Sequence, residues 1–215
     1  MFTTTILTQG ANDKRAYCRY FSSQDGLGTI ARLNIEAYGV QALDYAATEF
    51  PNDVDKQDAF RHYSWNYYCM LSSLIGVTLN IRENSTRIYT TNYELANNLL
   101  RRNVIPRTDS PTSAQLATAL NLRNNILNAS TYATWDAYFD GGTNDSYGFG
   151  RDELMDVWNN ERGRQDGRIN SWYSMVIPFN DRWNNNTVIK NNTTSEVTTS
   201  RRQTIWNSNW YKPVR

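Results

Sequence analysis

Histidine is almost missing from this chain: His62 stands alone among 215 residues. Cysteine is nearly as scarce, with Cys18 and Cys69 only. Two cysteines make no disulfide framework, and they form no C-x-x-C metal pair; free, packed thiols are expected. His62 and Cys69 are seven positions apart, about 10 Å of helical rise, which excludes Cys–His catalysis within one helix. There is no G-x-S-x-G, no P-loop and no H-E-x-x-H. No stretch approaches the ~20 apolar residues of a membrane-spanning helix. The N-terminus (Met1-Phe2-Thr3-Thr4-Thr5-Ile6-Leu7) has no basic region followed by an apolar run. The chain is therefore expected to stay where it is made, or to leave by a route such as lysis or loading into a particle. Net charge is only +1, which argues against a broad basic face for nucleic acid.

What is present is aromatic and polar. Aromatics make up 13% of the chain and hydrophobic residues 40%, so much of the apolar material is Tyr and Trp, which pack while keeping a polar handle. The length suits one domain with an appendage. Residues 1–25 show no strong periodicity and read as an irregular or short-strand arm. From Leu27 the spacing of Ile30, Leu33, Ala37, Val40 and Leu43 predicts a helix, closed by Phe50-Pro51-Asn52-Asp53. Asp55 is the expected N-cap of the next helix, whose stripe is Phe60, Tyr63, Tyr67, Met70, Leu71 and Leu74, with Gly76 as its stop. Residues 77–81 alternate like a short strand or extended link. Further helices are expected from Thr90 or Thr91 to Leu100, from Ser113 to Ile126, over 131–139, and from Arg151 to Arg164, with turn-rich loops at 103–111 and 140–145. The expectation is a mainly α fold: a bundle of about five to six helices over 26–170, with extended arms at 1–25 and 171–215.

The densest chemistry lies around the histidine. Asp58, His62 and Asn66 are spaced i, i+4, i+8 and line one helix face. A carboxylate one turn from an imidazole fixes its tautomer and raises its basicity, as in a general base. A packed, hydrogen-bonded histidine would show the same spacing. A second polar run, Asp156, Asn159 and Asn160, sits inside the last predicted helix, where paired asparagines are locally unfavourable and need partners.

These two stretches resemble an uncharacterised bacterial helical domain family marked by D-A-F-R-H-x-x-W, then H-E, then M-D-x-x-N-N-x-x-G. Asp58, Ala59, Phe60, Arg61, His62 and Trp65 match the first motif. Met155, Asp156, Asn159, Asn160 and Gly163 match the last. The middle pair falls at Tyr93-Glu94, which keeps the acid and lacks the histidine, and Trp158 replaces a histidine in the last motif. The likeness spans residues 27–167. It implies a helical fold in which these segments meet and, since the family occurs in exported or toxin-like proteins, an effector or hydrolase-like role. With two family histidines gone, no transition metal and no other cofactor is expected.

On that reading His62, Asp58, Glu94 and Asp156 are the candidate catalytic residues. Arg61, Trp65, Asn159 and Asn160 would bind substrate. The region after Ser171 supports another reading. From Arg182 to Arg215 there are six basic residues (Arg182, Lys190, Arg201, Arg202, Lys212, Arg215) and one acid, Glu196. Trp183, Trp206, Trp210 and Tyr211 interleave with Arg201 and Arg202. Such a mix anchors protein partners, or stacks on single-stranded nucleic acid. Contact with other subunits is the first expectation, and a structural or adaptor component of a virus-like particle or secreted assembly is the reading the sequence favours, with the effector or hydrolase-like domain as its alternative.

Overall fold

The first residues are helical rather than an irregular or extended arm: Thr3–Gln24 forms α1. Tyr17, Cys18 and Phe21 recur at i, i+1, i+4 and are fully buried, so tertiary burial supports a segment whose polar composition hid its period. The computed structural model describes residues 3–72, 78–140, 149–169 and 174–212. The remaining elements are α2 (Thr29–Glu49), α3 (Val54–Leu71), α4 (Leu79–Arg101), α5 (Ser113–Leu127), α6 (Tyr132–Asp140), α7 (Phe149–Ile169), α8 (Val176–Asn184) and α9 (Thr199–Ser208). The described residues thus hold nine helices and no strand, more helices than the five to six expected. Gly76, Val77 and most of the 140–145 turn lie outside the described residues.

Caps explain several boundaries. The Asp53 carboxylate accepts from Lys56 N at 2.9 Å, so the cap of α3 lies two residues before Asp55, where it was expected. Thr78 caps α4, and Leu79–Ile81 become its first turn instead of an extended link. Thr112 rather than Ser113 caps α5, in a reciprocal capping box with Gln115. Asn186 and Asn209 adopt positive φ (53° and 54°) just after α8 and α9. Asparagine tolerates that left-handed geometry, so part of the Asn-rich tail is helix-stopping chemistry.

Three helices build the centre. Asp156 meets His62, Asn160 meets Asn66, and Gly167 faces Met70, so α7 and α3 run in the same direction. Glu94 meets His62 and Thr90 meets Asn66, so α4 runs antiparallel to α3. The α3–α7 approach is close enough that a Cβ on Gly163 would collide with the carbonyl oxygen of Tyr63, and one on Gly167 would lie 2.8 Å from Met70 Cβ. Only glycine permits two backbones this near.

Outside this trio, α2 packs on α3, and α1 and α5 pack on α4. The face of α2 is reversed from expectation. Ile35, Ala42 and Ala46 are buried, while Ile30 (75% exposed), Leu33 (53%), Val40 and Leu43 face outward. The C-terminal region is not an extended arm. α8 plugs Phe179 between Phe60 (4.8 Å between ring centroids), Tyr63 (5.3 Å) and Phe50 (5.7 Å). Beyond α9, Tyr211 is fully buried, stacked on Trp206 and 4.9 Å from the Trp135 ring. Cys18 and Cys69 are free and buried.

Candidate functional site

The polar stripes of α3, α4 and α7 converge on His62. Its Nδ1 lies 3.5 Å from Glu94 Oε1 and its Nε2 lies 3.0 Å from Asp156 Oδ1. Asp58 is further away, 4.0 Å from Nε2, and is held instead by Arg61, whose Nη2 is 2.5 Å from Asp58 Oδ1. Glu94 therefore occupies the orienting position that the sequence spacing assigned to Asp58. The same Arg61 Nη2 sits 2.7 Å from His62 Nε2. A guanidinium has no acceptor, so Nε2 must accept and the imidazole proton resides on Nδ1, facing Glu94.

His62, Glu94 and Asp156 are all buried, and burial sets their protonation. Burial holds His62 well below its ordinary 6.5, and the charges of Arg61 and Lys14 push the same way. Glu94 is lifted to about 7 by burial, against the pull of Lys14 and its hydrogen bonds to Asp156 and Asn160. Asp156 is raised well above the usual carboxylate range by burial, then by the charges of Glu94 and Asp58. Two carboxyl groups in hydrogen-bonding contact share a proton. Burial thus favours a protonated carboxyl beside a neutral imidazole.

A buried chain of amides and ions braces this centre. Asn66 Nδ2 donates to Asn160 Oδ1 at 2.5 Å, and Asn160 Nδ2 reaches Glu94 Oε1 at 3.5 Å. Arg164, almost fully buried, donates to Asn66 Oδ1 at 2.6 Å and to Glu161 at 2.7 Å. On the other side Glu153 is fully buried; its Oε1 accepts from Asn97 at 2.7 Å. Burial lifts Glu153 to about 8 against the pull of Arg101, whose Nη1 is 3.5 Å away and lies 2.5 Å from Asp152.

Of the residues expected to bind substrate, only Arg61 sits at the open edge of the site, 37% exposed like Asp58. Trp65 is buried between α2 and α4: its Nε1 donates to Ile35 O at 2.7 Å and its ring meets Tyr93 edge-on at 5.4 Å. Asn159 exchanges two 2.9 Å hydrogen bonds with the backbone of Ile189 and so pins the C-terminal region onto α7. Asn160 belongs to the brace.

The residues assigned to partners contact their own domain. The Trp183 ring lies 6.0 Å from Phe179, tilted by 41°, and Trp210 lies 5.3 Å from Trp158. Arg201 pairs with Glu196 at 2.9 Å and Arg202 with Asp136 at 3.2 Å. Lys14, Glu153 and Arg164 are site residues that the sequence reading missed. Glu153 and Arg164 were visible as members of the α7 stripe 153/156/160/164, whereas Lys14 carried no such signal.

Asp58, His62 and Asp156 each offer one ligand-type atom, all within 4.8 Å of one another. The Arg61 Nη2 stands between two of those atoms, at 2.5 and 2.7 Å, and supplies the positive charge at that point.

No family model, no curated protein and no solved structure matches the chain. The site is therefore read from its own chemistry. Among the described residues, no helix is long and apolar enough to cross a membrane.

Proposed function

We propose that the chain is a hydrolytic acid–base catalyst centred on His62, Glu94 and Asp156. The observation that carries this reading is a single imidazole flanked on its two ring nitrogens by buried carboxyls from two other helices, at 3.5 and 3.0 Å. The motif likeness to a family found in toxin-like proteins points the same way. In the proposed step His62 Nε2 takes a proton from water while its Nδ1 proton moves to Glu94, and the hydroxide adds to the substrate. Asp156 gives its proton to the leaving group. Glu94 then returns its proton to Nδ1, 3.5 Å away, and Nε2 passes its own to Asp156, 3.0 Å away, so every group is restored and the net change is addition of one water. A group poised at about 7, as Glu94 is, suits proton transfer at neutral pH.

The test is a hydrolysis screen over ester, phosphoester, glycoside and amide substrates with wild type, His62→Ala and Glu94→Gln. Wild type should turn over one class, and each variant should lose at least about a hundredfold. An activity that survives both substitutions sinks the reading.

A second reading, a subunit of a larger assembly, draws on the outward apolar face of α2. Exposed Ile30, Leu33, Val40 and Leu43 along one helix form the kind of patch that marks an interaction surface.

A further inference from the structure

Arg61 covers the imidazole's only lone pair: its Nη2 is 2.7 Å from His62 Nε2 and at the same time 2.5 Å from Asp58 Oδ1. While that contact holds, His62 cannot accept a proton from water. Arg61 also carries a donor without a hydrogen-bond partner, its buried Nε. Beside it, His62 Nδ1 and Asp156 Oδ1 are buried without a well-formed hydrogen bond, Nδ1 lying 3.5 Å from Glu94 Oε1 and Oδ1 3.0 Å from His62 Nε2. Buried polar atoms left in this way call for an explanation, and a ligand is one. A second cation arrives from α1. The Lys14 ammonium lies 5.7 Å from the Tyr93 ring centroid, within electrostatic reach of His62, Glu94 and Arg61.

We propose that the substrate carries an oxyanion, held by Arg61 and Lys14, and that its binding draws Arg61 off His62 and uncovers the Nε2 lone pair. This rests on the acid–base reading and names its substrate class. The Nε and one Nη of a guanidinium form a planar fork that matches two oxygens of a carboxylate or phosphoryl group, and only Nη2 is now engaged by Asp58 and His62. The anion thus does two things at once: it satisfies the idle Nε and converts a masked imidazole into a working base. An uncharged analogue of the same substrate would bind without unmasking His62.

His62 is the only histidine, so selective ¹⁵N-histidine labelling reports this site alone. The intact protein is titrated with inorganic phosphate and, in parallel, with acetate. The expected result is a saturable change in the His62 nitrogens and an upward move of its pKa. The groups facing it are Lys14 from α1, Asp58 and Arg61 from α3, Glu94 and Arg101 from α4, and Asp156 from α7, with Glu153 acting on Asp156. Of these, the Arg61 charge leaves the ring and an anion joins the site, and both favour protonation. Saturation by phosphate alone assigns a phosphoryl group, and by acetate alone a carboxylate; either supports the proposal.

Arg61→Gln should weaken the binding by at least about tenfold, the value of a charge-assisted pair. Arg61→Lys, which keeps the charge but not the fork, should fall between. Should Arg61→Gln lose its helical circular dichroism, Lys14→Met serves instead and should also weaken binding. No saturable change with either anion in wild type, or equal changes in Arg61→Gln, overturns the proposal. Binding is read without turnover, so the two ideas separate. Hydrolysis of an uncharged ester that depends on His62, with no anion binding, removes the oxyanion site alone. Saturable anion binding without His62-dependent hydrolysis removes the catalytic reading.

Discussion

Glu153 makes the stability of this protein depend on alkali in a way that can be calculated. The carboxyl is fully buried and its ionisation is pushed from 4.5 to about 8, mainly by burial. A folded-state pKa above the unfolded value contributes stability that is fully present below about 4.5 and is lost as pH rises through about 8. A shift of that size corresponds to roughly 3–5 kcal/mol, a large part of the stability of an ordinary domain. Over that window one extra proton is bound by the folded state, so stability should fall by up to about 1.4 kcal/mol per pH unit on account of this group.

Glu153→Gln copies the protonated form. It keeps the oxygen that accepts from Asn97 and places an amide where Oε2, now without a partner, would carry its proton. The assay is urea unfolding of both proteins at intervals from pH 5 to 9. The two curves should diverge as pH rises, with the variant losing less. Other groups titrate in this range, Glu94 among them, but they cancel to first order in the difference. Parallel curves, or a variant that loses more stability at high pH, would refute the assignment of a protonated, buried Glu153.

Further outcomes follow from the packing. Gly163→Ala drives a Cβ into the Tyr63 carbonyl and should cost about 3 kcal/mol or more in chemical unfolding, whereas Gly28→Ala, with open space around it, should change little. Asn159→Ala removes both bonds to Ile189 and should cost about 2 kcal/mol, with faster amide exchange after residue 186; unchanged exchange there would show that the C-terminal region is held otherwise. Light scattering decides between the functional readings. If α2 is an interface, the wild-type chain should exceed monomer mass and Leu33→Asp should return it to monomer; a wild-type monomer at high concentration removes that reading.

The centre of the site was legible because its polar residues fall on helical repeats. Asp58, His62 and Asn66 share one face, and Asp156 and Asn160 are one turn apart on another. What spacing could not supply was rank among equivalent carboxylates. Asp58 is nearest in sequence to His62, yet the fold places Asp156 and Glu94 closer. The α2 error has a different cause. That helix is apolar on both sides, and the larger aliphatic side chains, which dominate a periodicity count, are on the outer face. The C-terminal aromatics were read as anchors for other subunits, but composition is silent on whether an aromatic surface meets a neighbour or the same chain. Trp65 resembled a site residue because it stands three positions from His62; on a helix that offset rotates it toward α2 and the Ile35 carbonyl.

The same-direction pairing of α3 with α7 has a consequence for how the site comes into being. Helices that run alike cannot be joined by a tight turn, and here everything from α4 to α6 lies between them. The imidazole and Glu94 sit on helices consecutive in the chain, whereas Asp156 arrives only when a far segment docks through Gly163 and Gly167. Contacts of such long sequence separation form late, because their loop entropy must be overcome first. A growing or partly folded chain can therefore bring Glu94 to His62 before Asp156 arrives. The topology itself delays assembly of the three-residue centre until the fold is finished.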